Sequence, residues 1–211
     1  MKSPIIIIGS GGHAVSIVDL IETLDNYDIQ GFWDFKQSKV QQLNGYPRLS
    51  HDSISDLVGE QVPLALGIGQ VKSAQTRKQL YLQLKVLDAK IPNMISPHAY
   101  VSKRASIGMG CQIMPGVVIN AQVTIADNCI INSGAILEHG VSLEAHTHIS
   151  TSAVLNGNCR IDSETFIGSN ATIKQGVHIA SENIIGAGAV VLTDTKFQST
   201  YVGNPARRLI T

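Results

Sequence analysis

The chain has no excess of charge of either sign: sixteen Lys and Arg balance sixteen Asp and Glu, so no net field would hold it on nucleic acid or an anionic membrane. Long apolar runs are missing too. The opening stretch from Pro4 to Ile8 is far too short for a signal-peptide core or a transmembrane helix and runs straight into Gly9, so it reads as a first strand. Cysteine is scarce, and Cys111, Cys129 and Cys159 have neither the CxxC spacing of a zinc site nor an even count for bridges. A reduced, buried role is expected for all three, in a cytoplasmic protein.

What the chain has is a period. From Ile95 to Val191 every sixth residue is Ile, Leu or Val, seventeen times in succession. Four residues after each comes a smaller residue, from Ala99 and Ala105 through Cys111, Val117 and onward to Ala189, with Asn183 as the one polar lapse. Neither an α-helix nor an ordinary strand repeats at six. A hexad with one large and one small inward residue predicts a parallel β-helix, each hexad being a short strand and a corner. Three hexads would make an eighteen-residue coil, identical positions would stack at strand spacing, and about six coils would form a prism. Such a stack contacts only its neighbours, so its ends and one face should be covered by the rest of the chain and by other subunits.

The front of the chain reads as βαβ. Pro4 to Ile8 leads into Gly9-Ser10-Gly11-Gly12-His13-Ala14, then a helical pattern through Val15, Val18, Leu20, Ile21 and Leu24. A second strand is expected at Ile29 to Phe32, a third at Val62 to Ile68, and a helix from Lys72 to Leu84 carrying Leu80, Leu82 and Leu84. The expectation is a small α/β, Rossmann-like half domain over residues 1–92 and an all-β prism over residues 93–211. Gly9-x-Gly11-x-x-Ala14, between a strand and a helix, approximates a phosphate-binding turn, and Asp34 follows the second strand where a ribose-binding acid would sit. A plain strand-to-helix turn is the alternative reading of the glycines. Ninety residues leave room for one mononucleotide half, so a single nucleotide or a nucleotide-linked sugar fits better than NAD.

Together the two halves resemble the NeuD/PglD-type sugar O- and N-acetyltransferases of bacterial glycan biosynthesis. The resemblance rests on the Gly-Ser-Gly-Gly-His opening, Phe32-Trp33-Asp34-Phe35-Lys36, the stretch from Ile113 to Ala121, Ile136-Leu137-Glu138-His139, and the tail from Val202 to Arg207. It implies a left-handed β-helix, a homotrimer, acetyl-CoA as donor and co-substrate, no metal, and a nucleotide-linked amino sugar as acceptor for lipopolysaccharide or capsule synthesis. N-acetylation of a 4-amino-4,6-dideoxy sugar is the expected outcome, and O-acetylation of sialic acid or another sugar is the alternative. The hand comes from the resemblance alone, since the rule for parallel crossovers favours the opposite one.

Acetyl transfer from a thioester needs a group that takes the attacking atom's proton and a donor that steadies the oxyanion. His139, following Glu138 directly, is the candidate base, and Glu138 could orient its imidazole if the corner turns between them. Asn120 and Asn156 lie eighteen residues either side of Glu138 and should join it in a polar column. Gly157 lies eighteen beyond His139, and its N–H is the candidate oxyanion donor. The resemblance assigns His148 to the acetyl-CoA pocket. The pantetheine is expected beside the last coils at Gly186, Ala187 and Gly188, and the phosphates need cations, for which Lys174, Arg207 and Arg208 are the nearest candidates. Gly9, Gly11, Gly12, His13, Asp34 and Asn120 are the expected nucleotide-sugar contacts. Of the other histidines, His51 sits in a polar loop, His98 at the junction, and His146 and His178 at outward or corner positions. Two further classes compete with this reading: a zinc site of the γ-carbonic-anhydrase kind built from His139, His146 and His148, and a nucleotide-sensing scaffold. The Glu-His pair and the Gly-Asn-Pro-Ala-Arg tail favour acyl transfer.

Overall fold

The computed structural model describes residues 2–34 and 39–210 and divides the chain into two compact units, Met1–Gly69 with Thr76–Met94, and Gln70–Gln75 with Ile95–Thr211. Phe35 and Lys36 lie outside the described residues.

In the first unit a three-stranded parallel sheet has β1 (Ser3–Ile8) at its centre, flanked by β2 (Tyr27–Trp33) and the short β5 (Leu64–Leu66), in the order β2-β1-β5. Ile5 to Ile8 are buried on both faces, as a central parallel strand requires. The first helix, α1 (Gly12–Leu24), buries Ala14, Ile17, Val18 and Ile21, an i, i+3, i+4, i+7 stripe, and leaves Val15 exposed. Between β2 and β5 lie a hairpin of β3 (Gln42–Leu43) and β4 (Tyr46–Pro47) and the short helix α2 (Ile54–Gly59), whose Ser53 hydroxyl accepts from the Asp56 N–H. Neither was visible in the periodicity. The last helix, α3 (Gln75–Val86), starts three residues later than expected, with the Gln75 N–H donating to the Ser73 hydroxyl. Leu80 and Leu84 are buried but Leu82 faces solvent, because a spacing of two cannot share one side of a helix; the buried stripe is Arg77, Leu80, Tyr81, Leu84.

The second unit is the expected prism. Seventeen two-residue strands, β6 (Met94–Ile95) through β22 (Val190–Val191), follow at six-residue intervals, each with the hexad's large residue second. Pairing is parallel with an eighteen-residue offset, as in Val118 with Ile136 and Ile136 with Val154. The strands form three faces. One runs from Tyr100–Val101 to Val190–Val191, a second from Ser106–Ile107 to His178–Ile179, and a third from Met94–Ile95 to Ile184–Ile185. The third continues into β23 (Thr200–Val202) and β24 (Arg207–Arg208). From Ile113 to Val191 the large residue is at most 3% exposed, and each such side chain contributes about 1.5–3 kcal/mol of burial. Ile95, Val101 and Ile107, in the first coil, are only half-buried, having a neighbouring coil on one side.

A third periodicity runs through the corners. Every sixth residue from Gly110 to Gly188, fourteen positions, has φ between +56° and +73°. Six are glycine and three asparagine, residues that enter this region readily; Gln122, His146, Ser152, Glu164 and Glu182 do so against their preference. Asn183, the polar lapse, closes the interior: its amide donates to the carbonyls of Ala180 and Lys196 at 2.6 and 2.9 Å, where the chain leaves the last coil. Thr147 and Thr165, in the same column as Cys111 and Cys129, donate to the carbonyls of Glu144 and Ala180. Among the described residues no helix is long and apolar enough to cross a membrane.

Candidate functional site

His139 and Gly157 meet as the eighteen-residue offset predicts. At the corner between the first and second faces the imidazole lies over the Gly157 backbone, so closely that a Cβ at 157 would stand 2.6 Å from its Cε1 and Nε2. The ring itself is solvent-exposed, and the backbone below is held by the Asn158 N–H donating to the His139 carbonyl at 2.9 Å. The side chain therefore projects from the prism, available to a ligand.

Glu138 does not meet His139. Its Oε2 accepts from the Asn120 amide at 3.1 Å, one coil below, and no hydrogen bond joins it to the imidazole. The corner sends the two neighbouring side chains apart, as adjacent extended residues are sent, so the expected orienting contact is absent. The Asn120–Glu138 half of the polar column is formed; Asn156, in contrast, donates to the Ile173 carbonyl at 2.8 Å. Lys174, one coil beyond Asn156 at the same corner, is exposed.

His148 sits elsewhere, on the third face, paired with Ile130 and Phe166. It is 5% exposed: its Nδ1–H donates to the Gln70 carbonyl, which sets the tautomer, and its ring meets the Phe166 edge at a centroid distance of 5.1 Å. The Gln70 amide donates to the His146 carbonyl at 2.8 Å, and the His146 ring pairs with Asn128. The two contacts from Gln70, 76 and 78 residues away, were invisible to the hexad pattern. Among the described residues, no three His, Cys, Asp or Glu side chains are arranged to hold a metal, so the histidine trio does not converge.

The remaining donor-site candidates fall in two places. Gly186 is half-buried beneath Val202, which a Cβ at 186 would touch at 2.9 Å, while Ala187 and Gly188 are exposed at the corner between the third and first faces. Arg207 and Arg208 are exposed on β24, and the tail before them is tied to the last coil through Val190, which donates to the Gly203 carbonyl and accepts from the Ala206 N–H. A groove of about 400 Å³ on the third face is lined by Phe166 and Ile184 together with Glu164, Glu182 and Lys72.

In the first unit, α1 begins without a side-chain cap and without an acidic residue in its first turn. Gly11 and Gly12 are exposed with open space around them, and the Ala14 N–H closes the turn on the Gly11 carbonyl at 2.9 Å, so an anion could approach the uncapped helix start. Gly9 is buried at φ +105°, its N–H donating to the Trp33 carbonyl at 2.7 Å. Asp34 is half-buried and its Oδ2 accepts from the Ser10 hydroxyl at 2.6 Å, which joins the strand-end carboxylate to the glycine turn. Beside Asp34 opens a cleft of about 500 Å³ lined by Trp33, His51, Ser53, Thr76 and Gln79. His51, expected in a loop, is indeed there, its Nε2 on Glu60 at 2.7 Å.

One element of this region went unread in the sequence. The loop after β5, Gly67-Ile68-Gly69, packs directly on the turn: a Cβ at 67 would lie 2.8 Å from that of Ala14, one at 69 would lie 3.2 Å from that of His13, and Ile68 stands 3.0 Å from the corresponding point at Gly9. Its two glycines at the end of an apolar run were the available signal.

Comparison with known proteins follows the same division. Residues 4–84 match the family model of the PglD N-terminal domain, and residues 95–185 that of the GMPPB C-terminal domain. No curated protein matches the chain in sequence. Among solved structures, the acetyltransferase domain of PglB from Neisseria gonorrhoeae FA1090 is 31% identical, with a TM-score of 0.90 over 99% of this chain and 100% of that one. The same domain has been solved in complex with acetyl coenzyme A, at 30% identity, TM-score 0.89 and coverage of 99% and 100%. PerB from Caulobacter crescentus, in complex with CoA and GDP-perosamine, is 28% identical with a TM-score of 0.89 over 99% of this chain and 98% of that one. By its identity and coverage against the PglB domain, the chain belongs to the NeuD/PglD-type sugar acetyltransferase family.

Proposed function

We propose that the protein is an acetyl-CoA-dependent N-acetyltransferase acting on a nucleotide-linked amino sugar, with a 4-amino-4,6-dideoxy sugar as acceptor, working as a cytoplasmic homotrimer in surface-glycan synthesis. The observation that carries this reading is the exposed His139 imidazole seated over the Gly157 backbone. The relatives bound to acetyl coenzyme A, and to CoA with GDP-perosamine, support the choice of both substrates.

In the reaction the amine nitrogen attacks the thioester carbonyl carbon. The carbonyl electron pair moves to oxygen, where the Gly157 N–H stabilises it, an effect of about 10²–10³ in rate for one such donor. Collapse breaks the carbon–sulfur bond and releases CoA thiolate. The proton leaving nitrogen passes to His139 and then to the thiolate, a transfer by a positioned base that contributes about 10²–10⁴-fold. Glu138, held by Asn120 one coil below, takes no part in this transfer.

The uncapped start of α1, with Gly11, Gly12 and His13, is the seat proposed for the acceptor's diphosphate, and Asp34 with its adjoining cleft the seat for the ribose and base. Gly186 to Gly188, Lys174, Arg207 and Arg208 remain the proposed contacts of acetyl-CoA; His148, buried against Gln70 and Phe166, is not one of them. The test is a screen of UDP-, dTDP- and GDP-linked amino sugars for release of free CoA, with His139→Ala alongside. Wild type should release CoA with one of them, and the variant should stay folded while turning over at least about a hundred times more slowly. If no nucleotide sugar is used, or if His139→Ala keeps most of its turnover at saturating substrates, the reading is wrong.

A further inference from the structure

We propose that Arg77, buried in the first unit, is a positioning residue for the acceptor's diphosphate; this rests on the nucleotide-sugar reading above. Arg77 occupies the first position of the stripe by which α3 packs into the core, ahead of Leu80, Tyr81 and Leu84, and is 1% exposed. An apolar residue would serve packing better there, because burying a guanidinium carries a large desolvation cost. What the charge gains is contact with the loop after β5. Its Nη1 donates to the carbonyls of Leu66 and Ile68, at 3.3 and 2.6 Å, which flank Gly67.

That loop is the wall against which the glycine turn rests. Gly67 abuts Ala14, Gly69 abuts His13, and Ile68 abuts Gly9, so both ends of the turn rest on the loop that Arg77 ties down through the Leu66 and Ile68 carbonyls. The turn in its place presents the backbone of Gly11 and Gly12, with open space around both, at the uncapped start of α1. Arg77 thus acts twice on an anion bound there: through the loop it fixes the spacing of the N–H donors, and as a cation behind the turn, in a medium poorer than water at screening, it adds to the positive potential of the helix start. A merely structural arginine would do neither selectively.

Two substitutions separate the contributions. Arg77→Lys keeps the charge and the aliphatic stem but loses the planar guanidinium that spans two carbonyls. Arg77→Met loses both. The apparent KM for the nucleotide-linked sugar should rise about tenfold in Arg77→Met and less in Arg77→Lys, with the KM for acetyl-CoA unchanged and the melting temperature followed in parallel. A structural role alone would lower the active fraction and leave both constants where they were. Should Arg77→Met fail to fold, Gly69→Ala addresses the same loop from its surface: the added methyl presses on His13 and should raise the acceptor constant selectively. An unchanged acceptor constant in the folded variants overturns the role of Arg77 while wild-type activity stands. Failure of wild type to bind UDP, dTDP or GDP by calorimetry, and to acetylate their amino-sugar conjugates, removes the functional reading and this inference with it.

Discussion

Replacing Gly157 by alanine displaces the proposed base without touching it. The new Cβ would stand 2.6 Å from His139 Cε1 and Nε2 and 3.2 Å from Nδ1. Carbon atoms settle at about 3.5–4.0 Å, so the ring must retreat by about 1 Å. Because the imidazole is exposed, it can swing into solvent, and the core beneath pays nothing. Gly157 is also outside the positive-φ corner positions, so alanine fits its backbone. The melting temperature should therefore hold while catalysis falls. A misplacement of about 1 Å can cost about 10²-fold, which is the drop expected in kcat.

The assay is CoA release at saturating acetyl-CoA and nucleotide-linked sugar, followed with a thiol reagent. Alanine keeps the backbone N–H, so the substitution perturbs the base and spares the proposed oxyanion donor. The double variant His139→Ala/Gly157→Ala should accordingly be no slower than His139→Ala alone. A folded Gly157→Ala enzyme within about threefold of wild-type kcat would refute the placement of His139 as base. A double variant much slower than His139→Ala would instead mean that alanine disturbs the oxyanion site as well.

Changing Arg207 and Arg208 together to Ala should raise the apparent KM for acetyl-CoA and leave that for the sugar; an unaltered donor constant removes both from the donor site. At the corners, Gly176→Ala should destabilise by about 1–2 kcal/mol through φ alone, since nothing lies within 4 Å of the added methyl. Gln122→Gly, at φ +62°, should have the opposite sign, both read as denaturation midpoints at one protein concentration. Cys111, Cys129 and Cys159 are fully buried, and burial pushes the Cys159 thiol up, so native protein should ignore a thiol reagent at pH 8 and titrate three thiols once unfolded. Rapid native labelling at Cys159 would mean the prism opens at that coil.

The prism was readable because its contacts repeat. In a stack of eighteen-residue coils, sequence offset is spatial adjacency: His139 over Gly157 and Asn120 beneath Glu138 follow from subtraction alone. The same arithmetic failed for Asn156, because a side-chain amide has a choice of partner and the Ile173 carbonyl is within its reach. It could not foresee that Glu138 turns from His139, since that depends on how the corner bends. The corner positions give only a faint sequence signal for a physical reason: glycine and asparagine fill only nine of the fourteen, and the other five carry ordinary side chains in a conformation that costs them.

What stayed hidden is what no period governs. The leucines at 80, 82 and 84 suggest a face, but the helix selects 77, 80, 81 and 84, and in doing so buries an arginine that hydropathy would place outside. His148 similarly takes its partner from Gln70, seventy-eight residues earlier, a contact set by where the segment 70–75 lies along the third face. Both cases have the same form. A polar side chain in the interior is held by backbone carbonyls, and carbonyls are present at every residue, so composition around the site carries no trace of the pairing. Repetition made the scaffold legible; the residues that tune it, bound to backbone rather than to side chains, become legible only in three dimensions.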